Sequence, residues 1–413
     1  MLENFQVPPF ITYAIPFFFL LIGIEFFISL KNNKNFYHQS NSIADLSTGI
    51  LSQIFGLFTK TIYLLGYFFL YQNYRIFNIP DSSILTWVLC FILVDFFYYW
   101  YHRLSHEVNI LWAGHVVHHQ SEDYNLIVAL RQTSLGSIFS WIFYLPLAWL
   151  GFSPWIYLAC YQLNLIYQFW VHTKSIGKLP AFIEYIFLTP SHHRVHHGVN
   201  PEYIDRNHAG VFVIFDRIFG TFEEEKAVPV YGTVKPLTSL NPFYANYYYF
   251  IELFKASVEA DKWTDKINVW FKAPGYYPAI SGKPSGYLPI PEVDAKTFKM
   301  YLPDLNNIAK RYVLFSFVLI LLISFAYLVL FDSLSRFTVL SLGIWISLSL
   351  ISINGVSEKK SWSLYTEILR ITFIPFIDSI VFKEMNIILI LSYIFSCINL
   401  AVIFFFRKKL VHV

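Results

Sequence analysis

An all-α polytopic membrane fold is predicted by two observations, and a third places the chemistry. The 413 residues are 56% apolar, 20% aromatic and only 14% charged, whereas an average soluble protein is about 25% charged. The apolar residues fall in runs long enough to cross a bilayer, which takes about 20 residues. Eleven of the thirteen histidines lie between His102 and His208, leaving only His38 and His412 outside. The expected architecture is a helical bundle with a cytosolic histidine-box di-metal site.

The first apolar stretch, Pro8 to Leu30, is longer than a signal-peptide core and lacks a basic start and a small-residue cleavage site, so it reads as a first transmembrane helix. Further spans are expected at 48–71, 82–101, 137–151, 153–171, 312–331, 337–354, 362–382 and 387–406. The 137–151 stretch is short and sits among Pro146, Gly151 and Pro154, which makes 137–171 a candidate kinked or re-entrant hairpin. Lys31, Lys34, Arg103, Lys174, Lys178, Lys359, Lys360, Arg407, Lys408 and Lys409 follow alternate spans. All of them fall on one side if nine spans are crossed from an outside N-terminus, which turns every histidine cluster toward the cytoplasm. Four regions result: a membrane anchor (1–94), a histidine-bearing region (95–225), a polar cytosolic cap rich in Pro and Gly turns (226–311) and a C-terminal transmembrane bundle (312–413). Net charge of +3 gives no reason to expect nucleic acid, and Cys90, Cys160 and Cys397 lie unpaired in apolar runs.

Three clusters carry the chemistry: His102 with His106; His115 with His118 and His119; and His193 with His196 and His197. Offsets of three and four put side chains on one helical face, and neutral imidazole is the commonest metal ligand. Eight such nitrogens exceed the four that a structural zinc needs and suit two ions. His172, at the end of a span, and His192, four before His196, are candidate further ligands. For His172, a place beside the ligands and an interfacial imidazole are the alternatives to direct ligation, and His208 reads as structural. Asp95, Glu107, Glu122 and Asp123 are candidate orienting carboxylates, because a metal-bound imidazole passes its other N–H to a carboxylate or carbonyl. Asp95 lies inside an apolar span, where an ionisable group is a functional candidate by default. Nitrogen ligands alone do not choose among zinc, copper, nickel and iron. A redox pair where a membrane helix meets water fits oxygen chemistry on a lipid. Phe96, Tyr98, Trp100, Trp112 and Tyr124 are candidates to line a path for it.

The three boxes, with Asp95 ahead and Asn207 to Phe222 behind, resemble the fatty acid hydroxylase and sterol desaturase superfamily over 95–225. A narrower likeness, to its alkylglycerol monooxygenase branch, rests on four runs. They are Trp112-Ala-Gly-His-Val-Val-His-His-Gln-Ser-Glu-Asp-Tyr-Asn125 with Ala129-Leu-Arg-Gln132; Gln168-Phe-Trp-Val-His-Thr173; Thr189-Pro-Ser-His-His-Arg-Val-His-His-Gly198; and Phe215-Asp-Arg-Ile-Phe-Gly-Thr-Phe-Glu223. The resemblance implies a membrane di-iron monooxygenase with two Fe ions on His102, His106, His115, His118, His119, His193, His196 and His197. It further implies oxygen-dependent cleavage of a glyceryl ether with a tetrahydrobiopterin-type reduced pterin as electron source. Such an enzyme resides in the endoplasmic reticulum of a eukaryote or the inner membrane of a bacterium. Hydroxylation or desaturation of a sterol, fatty acid or carotenoid is the competing enzymatic reading. A metal transporter or a haem electron carrier is the non-enzymatic one.

Overall fold

The computed structural model describes residues 9–374 and 386–410. It is helical except for one hairpin pairing β1 (Tyr276–Tyr277) with β2 (Gly286–Tyr287). In chain order, α1 (Phe10–Lys31), α2 (Gln39–Tyr74) and α3 (Ile84–Glu107) are long. Short segments follow: α4 (Asn109–Ala113), α5 (Val116–His119), α6 (Ser137–Ser140) and α7 (Leu145–Leu150). After α8 (Pro154–Trp170) come α9 (Ala181–Ile186), α10 (Pro190–His196) and α11 (Ile214–Phe219). The remainder is α12 (Pro242–Glu259), α13 (Trp263–Phe271), α14 (Asn307–Leu330), α15 (Arg336–Ser357), α16 (Trp362–Thr372) and α17 (Asn386–Leu410).

The protein is a multi-pass membrane protein. Among the described residues α1, α3, α14 (with the turn that follows it) and α15 are long and apolar enough to cross a bilayer, and α2, bent by 47° near its middle, makes a fifth if counted as one span. Among the described residues, helix length therefore supports five of the nine crossings expected from hydropathy runs, and the 387–406 expectation falls on α17. The other three differ. The 137–151 stretch is broken into α6, a 3-10 turn and α7, and Gly151 reverses the chain at φ +109° before Pro154 opens α8. A Cβ at Gly151 would strike the Phe77 carbonyl oxygen, so only glycine turns there. The limb α8 has only 17 residues, and part of the 362–382 candidate lies outside the described residues.

Two compact units are drawn from non-contiguous segments. The first comprises Met1–Tyr37, Phe55–Leu237 and Asn246–Met300, and the second His38–Ile54, Thr238–Ala245 and Tyr301–Val413. In the first, α3 packs along α8, and α8 along α1. Tyr67, Val94, Tyr144, Leu147, Ile156 and Cys160 form a dry core at the end remote from the histidines. Glu25, buried in α1, accepts hydrogen bonds from Leu126 N (2.8 Å), the Tyr37 hydroxyl and the Thr173 hydroxyl, tying that helix to the loops beside the histidines.

In the second unit α15 packs between α14 and α16. Its interior carries an ion pair, Arg370 Nη2 to Glu367 Oε2 at 2.6 Å, with the Tyr312 hydroxyl also donating to Glu367 and Trp345 Nε1 donating to the Arg370 carbonyl. Removing one member of a buried pair leaves an uncompensated charge, whereas replacing both by apolar groups need not. Glu367→Leu is therefore expected to destabilise this unit by about 3–5 kcal/mol. Thermal unfolding in detergent should show a lower Tm for that variant, and Glu367→Leu/Arg370→Met should recover most of the loss.

Candidate metal centre

Nine histidines are buried together, in two groups whose nitrogens lie within 4.8 Å of one another. The first comprises His102 and His106 from the end of α3, His115 and His119 around α5, and His196 from α10. The second comprises His118 from α5, His172 just beyond α8, His193 from α10 and His197 at its end. Each His-x-x-His-His box is thus shared out. Its first and last members, four apart, serve one group, and the middle member serves the other. A helix turns about 100° per residue, so positions i and i+4 nearly align while i+3 points to the other side of i.

Four of the nine hold their outer ring nitrogen on a backbone carbonyl. His102 Nδ1 lies 2.7 Å from the His208 oxygen, His118 Nδ1 2.9 Å from that of Arg131, His172 Nδ1 2.8 Å from that of Gln168, and His196 Nδ1 2.8 Å from that of Arg206. A carbonyl only accepts, so each Nδ1 carries the proton and each Nε2 presents a lone pair. His118 Nε2 and His172 Nε2 nevertheless face each other at 3.2 Å. Two lone pairs at that distance repel unless a cation lies between or beside them. Related separations recur between the Nε2 atoms of His102 and His115 (3.1 Å), His115 and His119 (3.2 Å), His172 and His193 (2.9 Å) and His193 and His197 (3.2 Å). Ligands at about 2.0–2.1 Å from one ion stand about 2.9–3.4 Å apart in octahedral or tetrahedral arrangement. His106 Nε2 and His196 Nε2 are buried without a hydrogen-bond partner among the described residues, as a ligand nitrogen would be. The donor set fits metal ions.

Burial keeps these rings neutral. It lowers His118 from its ordinary 6.5 to about 4, and holds His115, His119, His172, His193, His196 and His197 well below their usual range. Neighbouring imidazoles push the last six lower still, since two positive rings in contact repel.

The remaining sequence candidates occupy other positions. His192 turns away from both groups: its Nδ1 lies 3.3 Å from Thr189 N in a capping box at the start of α10, and its Nε2 3.7 Å from Glu184. Asp95 accepts from Asn164 Nδ2, Val211 N and Phe212 N, each at 2.8 Å. It thereby holds the 208–212 loop whose carbonyl takes the His102 proton. A Cβ on Gly210 would lie 2.6 Å from Asp95 Oδ1, so the loop closes over the carboxylate only with glycine there. Glu107 pairs with Arg103 at 2.9 Å. Glu122 is half-buried beside Gly232, and Asp123 is buried near Lys174, whose ammonium is pushed below its usual range by burial, with Asp123 partly opposing. His208 is fully buried, its ring centroid 5.0 Å from that of His106, and neither ring nitrogen makes a hydrogen bond of normal geometry among the described residues. Of the aromatic candidates, Tyr98, Trp112 and Tyr124 pack on histidine rings, with Trp112 4.9 Å from His106 and Tyr124 5.4 Å from His197. Phe96 and Trp100 pack on Phe219 instead.

Sequence reasoning passed over four supports of this site. Arg131 is buried and donates to the Val117 carbonyl (2.6 Å) and Gln120 Oε1 (2.7 Å), which fixes α5. Asp216 accepts from His208 N at 2.7 Å and Ala209 N at 2.9 Å. Asn164 and Glu25 carried the signal that flagged Asp95, a polar group within an apolar run.

Comparison with known proteins agrees with this geometry. The fatty acid hydroxylase family model matches residues 87–221, the segment that contains every clustered histidine. The chain is 40% identical over 368 residues to the alkylglycerol monooxygenase of Homo sapiens, covering 88% of this chain and 81% of that protein. It is 38% identical to that of Danio rerio, with the same coverage. Over 143 residues, 33% of this chain and 41% of the relative, it is 28% identical to the ornithine lipid hydroxylase OlsE of Rhizobium tropici. No solved structure matches. Fold and site together define a membrane-bound, lipid-acting oxidoreductase of the fatty acid hydroxylase type. Within that class, the chain belongs to the alkylglycerol monooxygenase family.

The lowered histidines set a pH dependence. An unfolded chain takes up protons at the ordinary value while the folded site resists them to a lower one, so stability is present above 6.5 and is lost as pH falls toward about 4. His118 alone accounts for about 3 kcal/mol over that window. In chelator-stripped protein the Tm should fall between pH 6.5 and 4, and less steeply in His118→Asn. A flat profile would remove the neutral-imidazole assignment.

Proposed function

We propose that the two histidine groups hold two iron ions and that the enzyme cleaves alkylglycerol ethers with molecular oxygen, drawing electrons from a tetrahydrobiopterin-type reduced pterin. The observation that carries the metal is the pair of lone pairs facing across 3.2 Å between His118 and His172. Iron rests on the family and on the redox requirement of a monooxygenase, and two ions on nine ligands in two groups. The ether substrate and the pterin rest on likeness to relatives named alkylglycerol monooxygenase.

Iron, when bound, supplies the activation of oxygen. The chain's own residues do the rest. The carbonyls of Arg131, Gln168, Arg206 and His208 hold protons on the outer nitrogens and so keep the inner ones free to ligate. Trp112 and Tyr124 wall the rings and exclude water. One oxygen atom is inserted into the C–H bond beside the ether oxygen, and the other leaves as water with two electrons and two protons from the reductant. The resulting hemiacetal separates into a fatty aldehyde and a glycerol. Lys31 and Lys34 after α1, and Arg103 near the end of α3, support a cytosolic site, in the endoplasmic reticulum of a eukaryote or the inner membrane of a bacterium.

Purified protein is expected to release fatty aldehyde only when alkylglycerol, oxygen and reduced pterin are all supplied. Turnover of sterols or free fatty acids with alkylglycerol untouched would refute the ether assignment and leave the metal centre standing. Metal analysis should find two ions per chain. His118→Ala and His196→Ala, each removing a ligand from a different group, should each abolish activity while membrane insertion is retained. Full activity in both would overturn the ligand assignment.

A further inference from the structure

The segment between 226 and 311 reads as a polar cap, yet its helices present apolar stripes that nothing among the described residues covers. Along α13 the exposed residues Trp263 (79%), Ile267 (57%) and Phe271 (62%) recur every four positions, on the side opposite the buried Val269. Along α12 Ile251, Phe254 and Val258 are likewise exposed. A water-facing surface rarely gathers so many large apolar side chains in one patch.

Two observations identify what covers them. The first is depth. The membrane span α3 ends at Glu107, and Asn109, two residues on, is bonded to α13 on several sides. Its side-chain nitrogen donates to the Val269 carbonyl at 2.9 Å, its backbone N donates to the Lys272 carbonyl at 2.9 Å, and its side-chain oxygen accepts from the Tyr249 hydroxyl of α12 at 2.7 Å. Both helices are therefore pinned to the point where a span leaves the bilayer. The second is charge. Lys262, Lys266 and Lys272 border the α13 stripe, with Lys266 Nζ 5.7 Å from the Trp263 ring. The acids nearest the α13 stripe are engaged internally, Asp265 accepting from the Tyr276 hydroxyl at 2.7 Å and Asp261 from Gly282 N at 3.0 Å, while Glu252 of α12 pairs with Lys235 and Lys255. Lysines flanking a face of Trp, Ile and Phe are the composition of a helix that lies in the plane of an anionic membrane surface.

We propose that α12 and α13 form an interfacial platform, their exposed stripes seated in the headgroup–acyl boundary of an anionic bilayer at the histidine end of α3. The platform backs directly onto the site. Val269 and Leu253 pack on Ala113 of α4, and the neighbouring Trp112 lies against the His106 ring.

The test is made on the full-length protein in nanodiscs of phosphatidylcholine and phosphatidylserine. With a photoactivatable diazirine on the acyl chain of the phosphatidylcholine, mass spectrometry of the unmodified protein should find adducts within 251–271 as well as within α1 and α3. Adducts on the spans but none within 251–271 would overturn the proposal. For depth, spin labels are placed at Ile267→Cys and Phe271→Cys in a Cys397→Ser background, since Cys90 and Cys160 are buried. Oxygen should relax these labels more than a water-soluble nickel chelate does, with the order reversed at Lys262→Cys. Equal water access at Ile267→Cys and Lys262→Cys would sink the assignment, whatever the enzyme's substrate proves to be.

Discussion

Neutral imidazoles crowded out of water are the constraint around which the catalytic unit is built. Nine of them meet in two groups, and a buried polar atom without a partner costs about 1–3 kcal/mol. Their inner nitrogens face one another, so the fold fixes the outer nitrogen of His102, His118, His172 and His196 on a carbonyl and leaves the inner ones in positions that could hold metal. That requirement explains the loop structure around the site. The 205–212 loop provides two of the carbonyls that take Nδ1 protons, and the Arg131 carbonyl provides a third. Asp95 and Asp216 then hold the first loop by its amides, and Arg131 binds back to α5.

Around those four rings the supporting layer consequently differs from a carboxylate–histidine arrangement. Carbonyls are weaker acceptors than carboxylates but carry no net charge, so they fix a ring without a buried anion that would itself need compensation. Asp95 and Asp216 act one step further out, on backbone amides, while Asp205 Oδ1 stands 3.6 Å from His106 Nδ1. Asp95 reaches His102 only through the loop it closes, and this places an ionisable group inside an apolar span without exposing it to lipid.

Much of this was legible in the sequence because two signals are strong. Apolar runs located α1, α3, α14 and α15 to within a few residues, and the clustering of histidine marked the site. What escaped has physical reasons. Segments of four to seven residues such as α5 and α10 are too short to show periodicity, so the way each box divides between the groups could not be read from it. His172 stands alone in its run and reaches His118 and His193 only through tertiary packing. His192 looked like a ligand by spacing, but a Thr189 three positions earlier claimed it as a helix cap. The 226–311 interval looked uniformly polar because its lysines and turns average out the apolar residues that recur at single helical faces.

The division of each box between two groups has a geometric consequence. His118 and His119 are consecutive residues serving different groups, and His196 and His197 repeat the arrangement. The spacing between the two groups is therefore ruled off by the rotation of one peptide unit, twice over, on two separate short helices. A shift of α5 or α10 as a whole carries members of both groups together, so along these two helices the groups are geared to each other.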